Sequence, residues 1–426
     1  MSKITLKQLA EIVDGQWITP PSNLNDTASY FALYGDEVRR NIGPENVFFA
    51  MSQEHWRKGT GNTGVYASTF KDNHARIHTI QQFLKVAIVE HRVENVTVPQ
   101  LLVSNSYDAL QKLVTTTANQ YAGKTVAVTG SVGKSTTKRL VAYLLSQIGP
   151  TTSTIGNHNS RTSVKLQAIS HNQAMFNVLE IAGMALNYQE PGCNVGGVSG
   201  LLHLDLAILT QVDAGQKGWS AKKTADVKTR LAANLKPDCA FLVNGEIENL
   251  TETTDFIKRY TNNIITYGRT PNCDYFGEVT PDGHLEIRHK HEQLVSLMVR
   301  GFDDGLITDM IGALAAYDIL GGVISEEVAD LFDRFCAHTT TRKISRLEVG
   351  GHHVTIIDDT HNAELLSIKN FIDFAQHYVT GSNEKKLYIE GRVINLRNIS
   401  YRTHHEVVQL LNNAGFDKYY LYGPEM

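Results

Sequence analysis

The pattern of hydrophobic and polar residues predicts alternating strands and helices through the middle of the chain. Residues 124–130 (KTVAVTG) and 204–212 (LDLAILTQV) are short apolar runs of the kind found in buried strands. Residues 133–149 and 224–235 carry an apolar stripe at helical spacing instead. This alternation predicts an α/β fold whose central sheet is mainly parallel and covered by helices.

The two ends of the chain have strand and helix patterns of their own. Predicted strands lie at residues 46–51, 85–90, 100–104, 385–391 and 418–423, and predicted helices at 106–123 and 404–415. Residues 352–378 predict a strand, a loop and a helix in that order. We therefore predict three domains: a small N-terminal α/β domain (1–122), a central domain (123–337) and a Rossmann-like C-terminal domain (338–426) that is short or incomplete.

Composition and charge exclude several classes of function. The chain is 42% hydrophobic and 20% charged with a formal net charge of −4, so it lacks the basic excess that nucleic acid or anionic lipid attracts. Its four cysteines are far apart in sequence, which predicts reduced thiols. We see no apolar signal segment and no apolar run of bilayer length. We therefore expect a soluble, cytoplasmic monomer or weak oligomer that neither binds nucleic acid nor inserts into a membrane.

The segment VTGSVGKSTTK (residues 128–138) predicts a phosphate-binding loop. An apolar strand precedes a glycine turn and a helix follows it, so backbone N–H groups and the positive end of the helix face one concavity. Lys134 can bridge terminal phosphates, and the Ser135 hydroxyl can bind Mg²⁺. The residues predicted to contact ATP are Gly130, Ser131, Val132, Gly133, Lys134, Ser135 and Thr136. Val128 replaces the first glycine of the longer common motif, so a tight turn with a solvated lysine is the alternative.

This loop, together with residues 156–164 (GNHNSRTSV), 177–184 (NVLEIAGM) and 356–367 (IIDDTHNAELLS), resembles the Mur ligase family. The resemblance covers nearly the whole chain and is weaker in the N-terminal part. It is greatest to members that add D-Ala-D-Ala to a nucleotide-linked muramoyl tripeptide.

The resemblance implies an ATP- and Mg²⁺-dependent ligase of cell-wall synthesis. Such an enzyme joins a carboxylate acceptor, which is UDP-linked in the family, to an amino acid or dipeptide amine. The reaction passes through an acyl phosphate and releases ADP and phosphate. The N-terminal domain would hold the nucleotide-sugar end of the acceptor.

The resemblance also implies roles for particular residues. Lys134, Glu180 and Lys228 match catalytic positions, with Ser135, Glu180 and Lys228 as metal ligands. Glu180 matches a magnesium-binding glutamate, and Lys228 falls where many members carry a lysine that takes up CO₂ to form a carbamate. The alternative for Glu180 is a partly exposed acid at a strand end. The alternative for Lys228 is a solvated helix lysine, and Lys222, Lys223 and Lys236 lie nearby in the sequence.

Two further segments match the substrate and nucleotide sites of the family. Asn157, His158 and Asn159 would line the acceptor and phosphate region; the alternative is a simple glycine-asparagine turn. Arg346, Asp359 and Asn362 in the last domain, together with Asp309, would contact the nucleotide. An aspartate that caps the following helix is the alternative for Asp359.

The chain departs from the family pattern at three places. Gln216 stands where the family has a metal-binding histidine, which puts the second metal site in doubt. Asp309 and Gly305 stand where the family has an adenine-contacting asparagine and a histidine, and an ionised aspartate can accept but not donate a hydrogen bond. Family members continue beyond the point where this sequence stops, so the C-terminal domain is either minimal or incomplete here, and the amine substrate is left open.

Three functions follow from these observations. The leading hypothesis is a carboxylate–amine ligase, acting either on the cell-wall precursor or on another carboxylate. The second is a ligase-derived nucleotide-binding subunit that needs a partner for catalysis, and the third is a simple phosphate-loop kinase or NTPase.

Overall fold

The computed structural model describes most of the chain. The residues outside the description are 1–3, 41–44, 62–69, 119, 171–173, 187–200, 215–217, 291, 300–301, 340–342, 361–362, 379–383, 394–395, 397–398 and 425–426. Gln216 and Asn362, both named above, therefore lie outside the described residues. None of the described helices is long and apolar enough to cross a membrane.

The N-terminal part forms a five-stranded sheet with helices on both faces. This part of the chain contains β1 (Ile4–Thr5), α1 (Leu6–Ile12), β2 (Gln16–Thr19), β3 (Thr27–Ala28), β4 (Tyr30–Ala32), α2 (Gly35–Arg40), β5 (Asn46–Phe49), α3 (Gln53–Thr60), α4 (Ile77–Ile80), β6 (Leu84–Val89), β7 (Gln100–Leu102) and α5 (Ser106–Ala118). Strands β1 and β3 form a separate two-stranded sheet. The strand order of the five-stranded sheet is β2-β7-β6-β5-β4, in which only β2 is antiparallel to its neighbour. The strands predicted at 46–51, 85–90 and 100–104 are confirmed.

Both faces of this sheet are buried, which explains its continuous apolar runs. Val47 and Phe49 face a core that includes α5, whereas Phe48 and Ala50 face a second core that includes α4. Successive strand residues point to opposite faces, so covering both faces requires an apolar residue at every position.

The middle of the chain forms the largest sheet. Its elements are β8 (Lys124–Thr129), α6 (Lys134–Leu145), β9 (Thr151–Ser153), α7 (Arg161–Ile169), β10 (Phe176–Glu180), β11 (Leu204–Leu209), α8 (Ala221–Thr229), β12 (Leu235–Asn244), α9 (Leu250–Ile257), β13 (Ile264–Gly268), β14 (Tyr275–Val279), β15 (His284–His289), β16 (Glu292–Met298), α10 (Asp304–Ile319) and α11 (Glu326–Thr339). Nine strands lie in the order β16-β15-β14-β13-β12-β11-β8-β10-β9.

This sheet is mainly parallel, as the alternation of strands and helices predicts. The pairs β9–β10, β10–β8, β12–β13 and β13–β14 are parallel. The edge formed by β14, β15 and β16 is antiparallel and was not predicted. Its strands are only half buried, so they lack the continuous apolar runs that identify the others.

The C-terminal part contains β17 (Lys343–Val349), β18 (His352–Asp358), α12 (Leu365–His377), β19 (Leu387–Gly391), α13 (Ser400–Asn413) and β20 (Lys418–Tyr422). Strands β17 and β18 form an antiparallel hairpin, and β19 and β20 are parallel. Ile368 and Ile372 of α12 pack against Val407 and Leu411 of α13 in a common core. The helices and strands predicted here are confirmed.

The chain divides into two compact units, each built from separate segments. The first comprises residues 1–129, 145–207 and 230–240, and the second comprises 130–144, 208–229 and 241–426. Helix α7 belongs to the first unit, where its Leu166 and Ile169 enter the core of the N-terminal sheet. The boundaries proposed at residues 122 and 337 stay a prediction.

A buried lysine lies where α7 packs against α5. Lys165 is 2% exposed, and its ammonium donates a hydrogen bond to the Tyr107 hydroxyl at 2.8 Å and lies 4.0 Å from the centre of that ring. No carboxylate in the described part of the chain lies within salt-bridge distance of it. Burial, with a smaller contribution from Arg161, lowers the pKa of Lys165 to about 7.

We predict that Lys165→Met stabilises the fold most at low pH. The unfolded lysine binds a proton below its ordinary pKa of 10.5, whereas the folded one does so only below about 7. The wild-type protein therefore loses stability as the pH falls through this interval. We expect Met to raise the free energy of unfolding by about 2 kcal/mol or more at pH 6.5.

Urea denaturation at pH 6.5 and pH 9.5 measures this effect. The gain should shrink at the higher pH, and the exposed Lys112→Met on α5 should give no such gain. An equal effect of Lys165→Met at both values would contradict the assignment.

Candidate functional site

The phosphate loop connects β8 to α6 and requires glycine at two positions. Gly133 has a φ of +85°, which favours glycine, and a Cβ atom there would lie 2.6 Å from Oδ1 of Asp309. A Cβ atom at Gly130 would lie 1.9 Å from Oγ1 of Thr210. Any larger residue would force the loop away from these neighbours.

Residues that follow β11 hold this loop in place. The Ser131 N–H donates to the Gln211 carbonyl at 2.8 Å, and the Asp213 N–H donates to the Ser131 hydroxyl at 3.0 Å. The Thr210 hydroxyl donates to the Val132 carbonyl. Ser131 and Val132 therefore fix the loop, and their predicted contact with the nucleotide stays a prediction.

Helix α6 begins with the remaining loop residues. Lys134 is its first residue, followed by Ser135 and Thr136, so the positive end of a 12-residue helix lies at the loop. The Lys134 ammonium donates to the Ser131 carbonyl at 2.8 Å. This lysine is thus turned back onto the loop, as expected for a group that meets phosphate oxygens there.

The buried end of α8 brings a second lysine to the same loop. The Lys228 ammonium donates to the Gly130 carbonyl at 2.7 Å. Burial, together with a smaller effect of the neighbouring Lys134, lowers the pKa of Lys228 to about 7, while Glu364 opposes the shift. Lys228 therefore exists partly as a neutral amine near pH 7.

The other three candidate lysines have different partners. Lys222 contacts Glu252, Lys223 lies 3.5 Å from Asp226, and Lys236 lies 2.8 Å from Asp205. Each forms an ordinary ion pair. Only Lys228, among these four, meets the phosphate loop, so a solvated helix lysine does not describe it.

Asp309 on α10 lies directly behind the phosphate loop. It is 7% exposed, and the Thr137 hydroxyl donates to its Oδ1 at 2.8 Å. No lysine or arginine of the described residues lies within 4 Å of this carboxyl group. Burial raises the pKa of Asp309 well above its usual range, with the Thr137 hydrogen bond opposing. The protonated carboxyl can donate a hydrogen bond, as the asparagine expected at this position would.

Gly305, which stands where the family has a histidine, lies close to a side chain of α12. A Cβ atom there would lie 2.7 Å from Nδ2 of Asn370 on α12. A histidine at residue 305 would therefore have to displace Asn370.

Glu180 ends β10 and is held by the turn that precedes α7. The Asn159 side-chain amide donates to Oε1 of Glu180 at 2.7 Å, and the Ala182 N–H donates to the Asn159 carbonyl at 3.1 Å. The Glu180 N–H donates to the Thr154 hydroxyl at 2.9 Å. Glu180 is 1% exposed, so the description as a partly exposed acid at a strand end is wrong.

His158 in the same turn faces the N-terminal part of the chain. Its Nδ1 lies 3.0 Å from Oε1 of Glu37, and its Nε2 lies 3.4 Å from Oδ2 of Asp36. Exposed Asn157 accepts a hydrogen bond from the Asn159 N–H through its carbonyl. The predicted roles of these residues in acceptor binding stay predictions.

The predicted nucleotide contacts of the last domain lie on or after its hairpin. Arg346 is an exposed residue of β17, and Asp359 is a half-buried residue after β18. Helix α12 is capped by Glu364, which forms a reciprocal capping box with Ser367. Asp359 is therefore not the capping residue of this helix.

Several residues that shape the site were missed by sequence reasoning. Thr210, Gln211 and Asp213 support the loop, and Asp36 and Glu37 contact the turn at His158. The first three have a readable signal, because they are polar residues directly after a buried strand of a parallel sheet, where binding sites occur. The acidic pair has no such signal, because 121 residues separate Glu37 from His158.

Residues 128–301 match the family model described as the Mur ligase middle domain. The chain is also similar to the UDP-N-acetylmuramoyl-tripeptide–D-alanyl-D-alanine ligase of Rickettsia prowazekii. The two are 22% identical over 362 residues, which cover 83% of this chain and 78% of that protein.

Solved structures have the same fold. MurF from Acinetobacter baumannii has a TM-score of 0.73 at 20% identity, covering 100% of this chain and 87% of that chain. MurF from Thermotoga maritima in complex with ADP has a TM-score of 0.66 at 20% identity, covering 93% of this chain and 85% of that chain. The predicted α/β fold and the resemblance to Mur ligases are confirmed.

We predict that Asp309→Asn stabilises the protein at neutral pH. As the pH rises through 3.8, the unfolded aspartate loses its proton while the folded one retains it, so the wild-type protein loses stability. Asparagine cannot ionise and escapes this loss. We expect a rise in Tm of about 3 °C at pH 7, a smaller change at pH 4, and retained ADP binding.

Thermal denaturation at both pH values, with calorimetric ADP titration, measures these effects. The exposed Asp304→Asn on the same helix serves as the control. A lower Tm of Asp309→Asn at pH 7 would show that the folded carboxyl is ionised.

Proposed function

We propose that this chain, whose residues 128–301 are a Mur ligase middle domain, is an ATP-dependent ligase that joins a carboxylate to an amine. The proposal is carried by the phosphate loop on which Lys134 and Lys228 converge. A plain phosphate-binding turn needs one lysine for the terminal phosphates. A second lysine, buried and partly neutral, favours the ligase over a simple kinase or NTPase.

The proposed reaction has two steps. An oxygen of the acceptor carboxylate attacks the γ-phosphorus of ATP, the bond to the β,γ-bridging oxygen breaks, and ADP leaves. The amine then attacks the acyl carbon, inorganic phosphate leaves with the bonding electron pair, and the nitrogen loses a proton. The chemistry needs positioning and charge neutralisation rather than a nucleophilic side chain. Lys134 would neutralise the charge on the transferred phosphoryl group.

The side chains present suit Mg²⁺. The described residues contain no cluster of three or more His, Cys, Asp or Glu side chains that could hold a metal ion by themselves. Mg²⁺ characteristically binds one or two protein oxygens together with phosphate oxygens. Ser135 and Glu180 are the proposed oxygen ligands, and the metal would neutralise phosphate charge.

Lys228 is proposed to carry a carbamate. Carbamate formation joins the neutral amine nitrogen to the carbon of CO₂ and releases a proton, so it needs a lysine whose pKa lies near neutrality. Burial lowers the pKa of Lys228 to about 7, which meets this condition. The resulting anion would supply a further oxygen ligand to Mg²⁺.

The proposed substrates are those in the names of the relatives. They are a UDP-linked muramoyl tripeptide as acceptor and D-Ala-D-Ala as amine. We propose that the N-terminal sheet domain binds the acceptor, that Arg346, Asp359 and Asn362 contact the nucleotide, and that the protein acts in the cytoplasm.

We predict that Lys134→Ala lowers the rate of amide formation by about 10²- to 10³-fold with the fold intact. The loss follows from removing the cation that neutralises the transferred phosphoryl group. The assay combines ATP, Mg²⁺, UDP-linked muramoyl tripeptide and D-Ala-D-Ala, with amide product and ADP measured together. The exposed Lys222→Ala should match the wild type, and an active Lys134→Ala would remove the phosphate-loop assignment.

We predict that removal of CO₂ inactivates the enzyme reversibly. Protein degassed at pH 6.5 should lose activity, because carbamates release CO₂ when protonated, and bicarbonate at pH 8 should restore it. With ¹³C-labelled bicarbonate, carbon NMR should show a carbamate signal in the wild type and in Lys222→Met, and none in Lys228→Met. A signal that persists in Lys228→Met would place the carbamate elsewhere.

A further inference from the structure

The side chain of His158 joins two segments that are far apart in sequence. Its two ring nitrogens face the carboxylates of Glu37 and Asp36, at 3.0 and 3.4 Å. The Tyr34 ring packs edge-on against the imidazole, with ring centres 6.0 Å apart. His158 is thus oriented by Tyr34, which lies just before α2, and by Asp36 and Glu37 in the first turn of α2. An imidazole held on both nitrogens is poorly placed to bind a phosphate, so its role must be sought in the turn that carries it.

Glu37 is itself rigidly anchored. Its Oε2 accepts the N–H groups of Leu33 at 2.9 Å and Tyr34 at 3.0 Å, while its Oε1 faces His158. Its side chain is only 9% exposed. The two oxygens therefore have separate tasks: one fixes the carboxylate to the backbone before α2, and the other holds the imidazole.

The turn transmits this position to Glu180. The residue after His158 is Asn159, whose side-chain amide donates to Oε1 of Glu180 at 2.7 Å. The Asn159 carbonyl accepts the Ala182 N–H at 3.1 Å, so the turn holds both the side chain and the backbone at the end of β10. A path of two side-chain contacts joined by the His158–Asn159 peptide bond therefore runs from α2 to Glu180.

Other polar residues near this turn also contact the N-terminal part of the chain. The Arg161 guanidinium donates to the Thr60 carbonyl, and the hydroxyls of Thr162 and Tyr34 lie 3.4 Å apart. Helix α7 and the turn before it are thus held by the same structure that supports α2. The acidic pair differs from these contacts because its carboxylates face the two ring nitrogens of His158, the residue next to Asn159.

We propose that Asp36 and Glu37 are positioning residues for the Glu180 carboxylate, acting through His158 and Asn159. This inference rests on the proposed function only in that Glu180 is taken as a Mg²⁺ ligand. Residues that orient a metal-binding carboxylate typically change metal affinity or activity 10- to 100-fold when they are replaced. The arrangement also links the N-terminal sheet, the proposed acceptor domain, to Glu180.

Glu37→Gln is the sharpest test. The glutamine oxygen can keep the two backbone hydrogen bonds, while its amide group replaces the oxygen that faces His158. We expect the half-saturating Mg²⁺ concentration to rise about tenfold or kcat to fall about tenfold, with the KM for each substrate changed less than threefold. Glu45→Gln is the matched control, because Glu45 pairs with Lys85 in the same sheet domain.

A double-mutant cycle tests whether the path runs through His158. Glu37→Gln and His158→Gln should each be impaired, and the double variant should be no worse than the more impaired single variant, because both break one path. Additive losses would contradict the path. If Glu37→Gln failed to fold, Asp36→Asn, at a half-exposed carboxylate, would take its place with a smaller expected change.

Two readouts separate this inference from the proposed function. Hydrogen exchange of residues 155–160 should be faster in Glu37→Gln than in Glu45→Gln, and this does not depend on activity. Binding of Mn²⁺ in the presence of ADP, followed by electron paramagnetic resonance, should weaken in Glu37→Gln alone. Unchanged exchange and unchanged Mn²⁺ affinity would overturn the inference. A wild-type protein that makes no amide would instead remove the proposed function, and the exchange measurement would still decide the inference.

Discussion

Close packing around two glycines of the phosphate loop is the contact on which the rest of the site depends. Without a Cβ atom, Gly133 allows the Asp309 carboxyl to lie against the loop, and Gly130 does the same for the Thr210 hydroxyl. The hydrogen bonds that hold Ser131 and Val132 form only at this distance. The Gly130 carbonyl is then placed to accept from Lys228. Close packing at these two glycines therefore positions the loop and the carbonyl that Lys228 contacts.

A different principle organises the first compact unit. Helix α7 begins with polar residues that are nevertheless buried, among them Arg161, Thr162 and Lys165. Polar groups inside a protein are costly unless they are hydrogen-bonded, so a buried polar helix face requires a defined partner surface. The N-terminal sheet domain supplies that surface through Thr60, Tyr34 and Tyr107. The turn that holds Glu180 is therefore built jointly with the N-terminal sheet, which explains why this segment carries residues unsuited to an independent helix.

Sequence reasoning succeeded where local pattern determines structure. Buried strands such as β5 and β8 and the glycine turn with Lys134 follow from short-range patterns. It failed where tertiary contacts decide. The buried polar face of α7 hides its helical period, and the half-exposed strands β14 to β16 lack continuous apolar runs. Spacing alone could not separate Lys228 from its three neighbouring lysines, or show that Glu364, rather than Asp359, caps α12. Those distinctions depend on burial and on partners remote in sequence.

The two buried ionisable groups at the phosphate loop are linked to nucleotide binding. Burial raises the pKa of Asp309 and lowers that of Lys228, so both shifts favour the uncharged form near neutral pH. A protonated Asp309 would add no negative charge of its own beside the triphosphate, and the approach of phosphate oxygens would raise the pKa of this carboxyl further. The same oxygens would favour the protonated form of Lys228, which competes with carbamate formation. Mg²⁺ would offset this effect by neutralising the phosphates. On the proposed function, ATP binding, carbamate formation and Mg²⁺ binding at this loop would therefore be coupled, so that a change in one would alter the other two.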